Sequence, residues 1–179
     1  MTDNAKNPVL KLELVGIVFI VLVGSALHFT FDLSGSNPLV GVFSAVNESV
    51  WEHLKLSFWP ALLYAVIEYG YLNRKTGSFF PAKTIGIYLM PLIIVFSFYL
   101  YRAFIEENLV IDILIFILAV AIGQFASYRL MTWKATSRIY TPISIVALIL
   151  LAILFIIFTF YPPQLPIFQD PISGGYGFK

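Results

Sequence analysis

The chain has 179 residues, of which 59% are hydrophobic and 12% charged, with a formal net charge of +1 and a mean hydropathy of +0.87. Soluble domains carry about a quarter charged residues, so this composition belongs to an integral membrane protein. The near-zero charge leaves no basic face for nucleic acid, and the lack of cysteine excludes disulfides, thiolate metal sites and thiol nucleophiles.

A helix needs roughly 20 mostly apolar residues to cross a bilayer core about 30 Å thick. Five stretches meet that length, at 12–31, 50–72, 84–103, 108–128 and 140–161. They predict an all-α fold: one polytopic membrane domain, a bundle of five transmembrane helices. The first run follows Lys6 and Lys11 and ends in Val23-Gly24-Ser25-Ala26, a pattern shared with signal sequences; it is expected to be retained as a span. After it, Ser34-Gly35-Ser36-Asn37-Pro38 predicts a turn. The following LVGVFSAV is too short to cross and predicts an interfacial or re-entrant segment. Pro60 and Pro91 fall inside their spans, where each removes a backbone donor and frees a carbonyl one turn earlier; Pro142 sits near a helix start, where proline is tolerated. The tail YPPQLPIFQDPISGGYGFK is too rich in Pro and Gly to extend the fifth helix. It is expected to lie across the outer surface, with Phe168, Tyr176 and Phe178 docking there or covering the mouth of the bundle. No internal repeat of the kind found in inverted-repeat transporters is visible.

Lys6, Lys11, Arg74, Lys75, Lys83, Arg129, Lys134 and Arg138 fall on one side of these spans, and Lys55, Arg102 and Lys179 on the other. By the positive-inside rule the N-terminus is cytoplasmic and the C-terminus external. Asp32, Glu48, Glu52, Glu106, Glu107, Asp112 and Asp170 then gather at the outer face and make it anionic.

The chemistry concentrates at that face. His28 and Asp32 lie at i and i+4, on one side of the first helix. A carboxylate one turn from an imidazole can orient it or share a metal with it. Residues 47–55, NESVWEHLK, bring further polar groups to the same depth. If the second helix includes Asn47, then Glu48, Glu52 and Lys55 line one face, and the two acids repel unless a cation, a proton or Lys55 lies between them. If Ser49 is the N-cap, Glu52 is its partner in an S-x-x-E capping box and the helix starts at Val50. Capping leaves His53, about 100° round the helix from Glu52, and Lys55 unexplained. Intramembrane ionisable groups are functional candidates by default. Asn47 and Trp51 are read as substrate or structural support, and so is Asp112, which faces the outer cluster or pairs with Arg102. Gln124 is a further polar group inside an apolar run. Glu13 beside Lys11, and Glu68 near Arg74, read as interfacial charges. The run Phe96, Phe98, Tyr99, Tyr101, Phe104 reads as an aromatic belt.

No H-E-x-x-H, G-x-S-x-G, Walker or G-x-G-x-x-G motif is present. At HFTFDLSG and FSAVNESVWEHLKLSFWP, with PIFQDP and GGYG in the tail, the chain resembles a family of small five-helix prokaryotic membrane proteins classed as a domain of unknown function. The resemblance implies a prokaryotic plasma membrane and brings no activity.

The leading expectation is a metal-assisted membrane hydrolase acting on a lipid-like or other membrane-accessible substrate. His28, Asp32, Glu48 and His53 would hold a divalent, zinc-like ion, Glu52 would be the general base, and Lys55 would steady developing negative charge. A carrier or binding protein for a cation or small solute is the alternative, and an accessory membrane subunit the third reading. Beyond the lipid bilayer, partners and oligomeric state are left open.

Overall fold

The computed structural model describes residues 3–72, 78–133 and 139–178. Six helices follow one another: α1 (Asp3–Leu33), α2 (Pro38–Gly41), α3 (Val50–Leu72), α4 (Phe79–Arg102), α5 (Leu109–Trp133) and α6 (Tyr140–Phe160), before a short 3-10 turn at Pro166–Phe168. Among the described residues the only strand-like feature is an isolated antiparallel bridge, Gln169 to Tyr176, in the tail.

Among the described residues four helices are long and apolar enough to cross a membrane: Pro8–Leu33 within α1, and all of α4, α5 and α6. Their outward faces leave Leu22, Phe29, Leu118, Ile122, Ile149 and Leu150 exposed. Contiguous apolar surface of that kind belongs against lipid rather than water. The 23-residue helix α3 is of similar length but carries Glu52, Lys55 and Glu68, which remove it from a purely compositional count. Its polar side chains reach three other helices. Tyr64 donates to the Leu12 carbonyl of α1 at 2.5 Å, Lys55 reaches Thr159 of α6, and Glu68 pairs with Lys83 of α4.

The helix ends differ from the hydropathy boundaries in a consistent way. α4 begins at Phe79 rather than at 84, and α5 runs to Trp133 rather than to 128. A hydropathy window trims polar residues from a span even where they find partners inside the bundle. Lys83 is the clearest case, because it lies within α4 and is buried, not in a cytoplasmic loop. Of the other cations, Arg74, Lys75, Lys134, Arg138 and Lys179 lie outside the described residues, and Arg129 is exposed in the last turns of α5. The segment after α1 contains only the one-turn helix α2, its first turn capped by Asn37 through the Leu39 N–H at 2.9 Å.

Close packing of α1 on α3 uses a carbonyl that proline has freed. Pro60 stays within α3 and has no N–H to offer the Leu56 carbonyl one turn back. Gly24 of α1 lies against that oxygen, so near that a Cβ there would sit 2.4 Å from it. A glycine Cα hydrogen can take the place of the missing donor, and no larger residue fits. Gly24→Val should therefore force α1 and α3 apart and destabilise the bundle by about 1–3 kcal/mol. A thermal melt of the detergent-solubilised protein checks this, and an unchanged midpoint would refute the close contact.

Candidate metal centre

The helix start favours the capped alternative. α3 begins at Val50, and the Ser49 Oγ accepts the Glu52 N–H at 3.4 Å. The reciprocal half of a capping box is absent, because the Ser49 N–H is taken by Asn47 Oδ1 at 2.9 Å, while Glu52 Oε2 accepts the Val46 N–H at 3.0 Å. Glu52 thus folds the chain before the helix back onto its first turn.

Glu52 also pairs with Lys55, Oε2 to Nζ at 2.6 Å, and both side chains are buried, at 1% and 0% exposed. The remaining two ammonium hydrogens go to the Gly41 carbonyl and to Thr159 Oγ1, each at 2.8 Å. An ammonium has three donors, and all three are used. Thr159 has its own hydrogen within reach of the Phe155 carbonyl (2.9 Å) and Glu52 Oε1 (3.2 Å). This closed network binds α2, the loop before α3, and α6 to one point. Glu52 and Lys55, expected as base and charge stabiliser, are occupied by each other and by this network.

The tail is built onto the same loop. Asn47 Nδ2 donates to the Gly177 carbonyl at 3.0 Å, and the Phe178 N–H donates to the Thr159 carbonyl at 2.8 Å. Trp51 stacks on Phe155, Phe158 and Phe168, with ring centroids 4.8, 5.4 and 4.8 Å away. Asn47 and Trp51 both contact the tail. Burial works to raise the Asp170 carboxyl, yet hydrogen bonds from Ser173 and from the backbone N–H groups of Ile172, Ser173 and Glu48 outweigh it and hold Asp170 below its ordinary value. Asp170 thereby anchors the main chain at Glu48, a role its place in a Pro/Gly-rich tail did not reveal.

With its backbone fixed just outside the helix, the Glu48 side chain turns to the histidines. His28 Nε2 and His53 Nε2 are 3.1 Å apart, and Glu48 Oε2 lies 3.5 Å from the first and 3.4 Å from the second. These three half-buried residues form the metal-competent group among the described residues. Donors around a tetrahedral zinc with bonds of about 2.0–2.1 Å are spaced by roughly 3.3–3.4 Å, so the triangle already has the right edges. His53 Nδ1 is 2.9 Å from the Ser49 carbonyl. A carbonyl only accepts, so Nδ1 carries a hydrogen, and Nε2 is left either to donate to Glu48 in the imidazolium or, without its proton, to offer a lone pair to a metal. Hydrogen bonds with His28, then His53, hold the Glu48 carboxyl far below the usual carboxylate range, against the opposing effect of burial. It is an anionic donor at any physiological pH. Asp32 is exposed and stands outside the group.

His28, Glu48 and His53 lie on the wall of a cavity of about 570 Å³. Leu56, Ile94, Phe98 and Phe116 give it apolar walls, and Pro166, Gln169 and Pro171 of the tail cover part of it. Arg102, Glu107 and Asp112 supply further charge. Asp112 accepts from the Tyr101 O–H at 2.6 Å, which aims the residue that sequence had placed near the outer cluster. Arg102 and Glu107 were legible only as outer charges, since nothing in their spacing ties them to His28.

Four apolar spans and a histidine–carboxylate triangle on the wall of a large cavity define a helical membrane protein with a metal-competent site. The chain belongs to a family of unknown function, DUF6512, whose model matches residues 1–178. No curated protein and no solved structure matches it significantly.

Removing one partner of a buried ion pair costs about 3–5 kcal/mol, whereas replacing both by apolar residues is often neutral. Lys55→Ala should accordingly lower the melting temperature far more than the double change Glu52→Leu/Lys55→Met. Equal losses in a denaturation comparison would show that the pair is not the tether described here.

Proposed function

We propose that this protein is a metal-dependent membrane hydrolase whose ion is held by His28, Glu48 and His53. The carrying observation is the triangle itself: three donors at tetrahedral spacing with their open side on a cavity. Three protein ligands plus a free position is the pattern of catalytic zinc, whereas structural sites close all four. A divalent ion held there would lower the pKa of a water towards neutrality and so supply a nucleophile. Glu107 and Asp112 line the same cavity and are the carboxylates available as general base. Arg102 is suited to an anionic group through its planar fork, and the apolar walls to an acyl or isoprenoid chain. The volume lies within the range of about 300–1,000 Å³ typical of small-molecule sites. We assign Glu52 and Lys55 to holding the loop rather than to catalysis.

α3 joins the four apolar helices as a fifth crossing in this reading. It is long enough, it packs antiparallel along α1 from His53 to Tyr64, and its charges are met by partners inside the bundle. The metal centre and tail then share the outer face, opposite the N-terminus. A carrier for a cation or small solute is favoured by a different observation, the charged side chains buried along α3; flux into proteoliposomes without any hydrolysis would select it.

Protein purified without chelator or histidine tag should contain close to one divalent ion per chain by elemental analysis. Alanine at His28, Glu48 or His53 should remove it and lower hydrolysis of an anionic amphiphile by about 10²-fold or more, while Asp32→Ala keeps the metal. Full metal and full activity in the three variants would sink the proposal. Because the chain has no cysteine, topology is open to single introduced thiols. In intact cells a membrane-impermeant thiol reagent should label Ile172→Cys and spare Trp133→Cys, and the reverse pattern would invert the orientation.

A further inference from the structure

A second polar cluster lies deep in the bundle, built by four helices and separate from the metal centre. Lys83 of α4 pairs with Glu13 Oε2 of α1 at 2.7 Å and with Glu68 of α3, and its Nζ lies 3.4 Å from Gln124 Oε1 of α5. All four side chains are at most 2% exposed. The charges do not balance, because two carboxylates face one ammonium. The other titratable group facing them is Tyr64 of α3, whose ring lies 5.8 Å from Lys83 Nζ and whose hydroxyl is committed to the Leu12 carbonyl. α5 contributes the uncharged Gln124, and α6, which packs on α4, has no charged residue.

The hydrogen bonds do not balance either. Glu13 Oε1, Glu68 Oε1 and Gln124 Nε2 are buried with no hydrogen-bond partner among the described residues. The contrast with Lys55 is direct, since there one ammonium meets one carboxylate and each donor is used. The backbone is also shaped to bring the cluster together: at Gly16 of α1 a Cβ would fall 2.0 Å from Gln124 Nε2 and 2.6 Å from the Tyr64 ring. Only a residue without a side chain lets α5 and α3 press these groups against α1.

We propose that Glu13, Glu68, Lys83 and Gln124 form an intramembrane proton-binding site, in which the two carboxyls share one exchangeable proton. A lone uncompensated charge in a low-dielectric interior is neutralised rather than kept. When two carboxylates share a site with a single cation, one of them takes up a proton and the pair titrates as a unit. The added proton also turns an unpartnered acceptor into a donor. With that proton bound the site is neutral, one carboxylate matching Lys83, and its loss leaves one net negative charge in the bundle; none of this depends on a metal at His28.

Infrared spectroscopy of the purified protein in sodium-free buffer tests this. At neutral pH the wild type should show the C=O absorption of one protonated carboxylic acid, shifted in heavy water and lost on making the buffer strongly alkaline. Glu13→Gln and Glu68→Gln should each abolish it completely, because the remaining carboxylate then matches Lys83 one to one. Each of these variants should melt no lower than wild type at neutral pH, whereas Lys83→Met should melt lower. A band that survives both glutamine variants would overturn the proposal. No band in the wild type, together with a melting temperature that rises with added sodium, would replace the proton by a bound cation. The wild-type spectrum decides the matter even where a variant fails to fold.

Discussion

The Lys55 ammonium is the point on which the histidine-bearing half of the molecule depends. An unpaired charge at that depth would be too costly to keep, and the fold answers with three acceptors drawn from three parts of the chain. Glu52 lies one turn away, the Gly41 carbonyl belongs to the turn after α1, and Thr159 ends α6. Satisfying the charge therefore fixes the path of the loop from α2 to α3 and places α6 beside α3. Glu48 is the residue that gains from this, because it stands on the tethered loop, free of helical geometry, and turns towards both histidines.

Two kinds of polar burial are thus combined in one small bundle. At Lys55 the groups are matched in charge and in hydrogen bonds, which is what a structural tether requires. At His28, Glu48 and His53 three donors converge on one another at distances suited to something else between them. The tail serves both. It stacks Phe168 on Trp51, ties Gly177 to Asn47, and holds the Glu48 backbone through Asp170.

The sequence showed the helices well because runs of apolar residues at membrane length leave few alternatives. His28 and His53 were legible for the opposite reason, as ionisable groups in oil. Glu48 was expected beside them together with Asp32, and its place turns on a single boundary: with α3 starting at Val50, Glu48 stays outside the helix and reaches the histidines, while Glu52 enters the first turn and pairs with Lys55. Asp32 shared a helical face with His28, but the cluster closes on the side towards α3, and a turn further along α1 lies in the open. The deep cluster escaped for another reason. Glu13 and Glu68 read as interfacial charges and Lys83 as a loop cation, because each sits near the end of a hydropathy window, and only the helix packing brings them to one place. Periodicity assigns a residue to a face, and partners across helices are invisible to it.

The two clusters share their first two helices. His28 and Glu13 are fifteen residues apart on α1, and so are His53 and Glu68 on α3, a separation of about 22 Å along each axis. Because the helices run antiparallel, the same register that brings imidazole to imidazole at one end brings both carboxylates to one ammonium at the other. A slide of α1 past α3 by one helical turn, about 5.4 Å, would part both sets at once. The register between these two helices is thus a single mechanical coordinate, and the histidine and lysine clusters are its two readings.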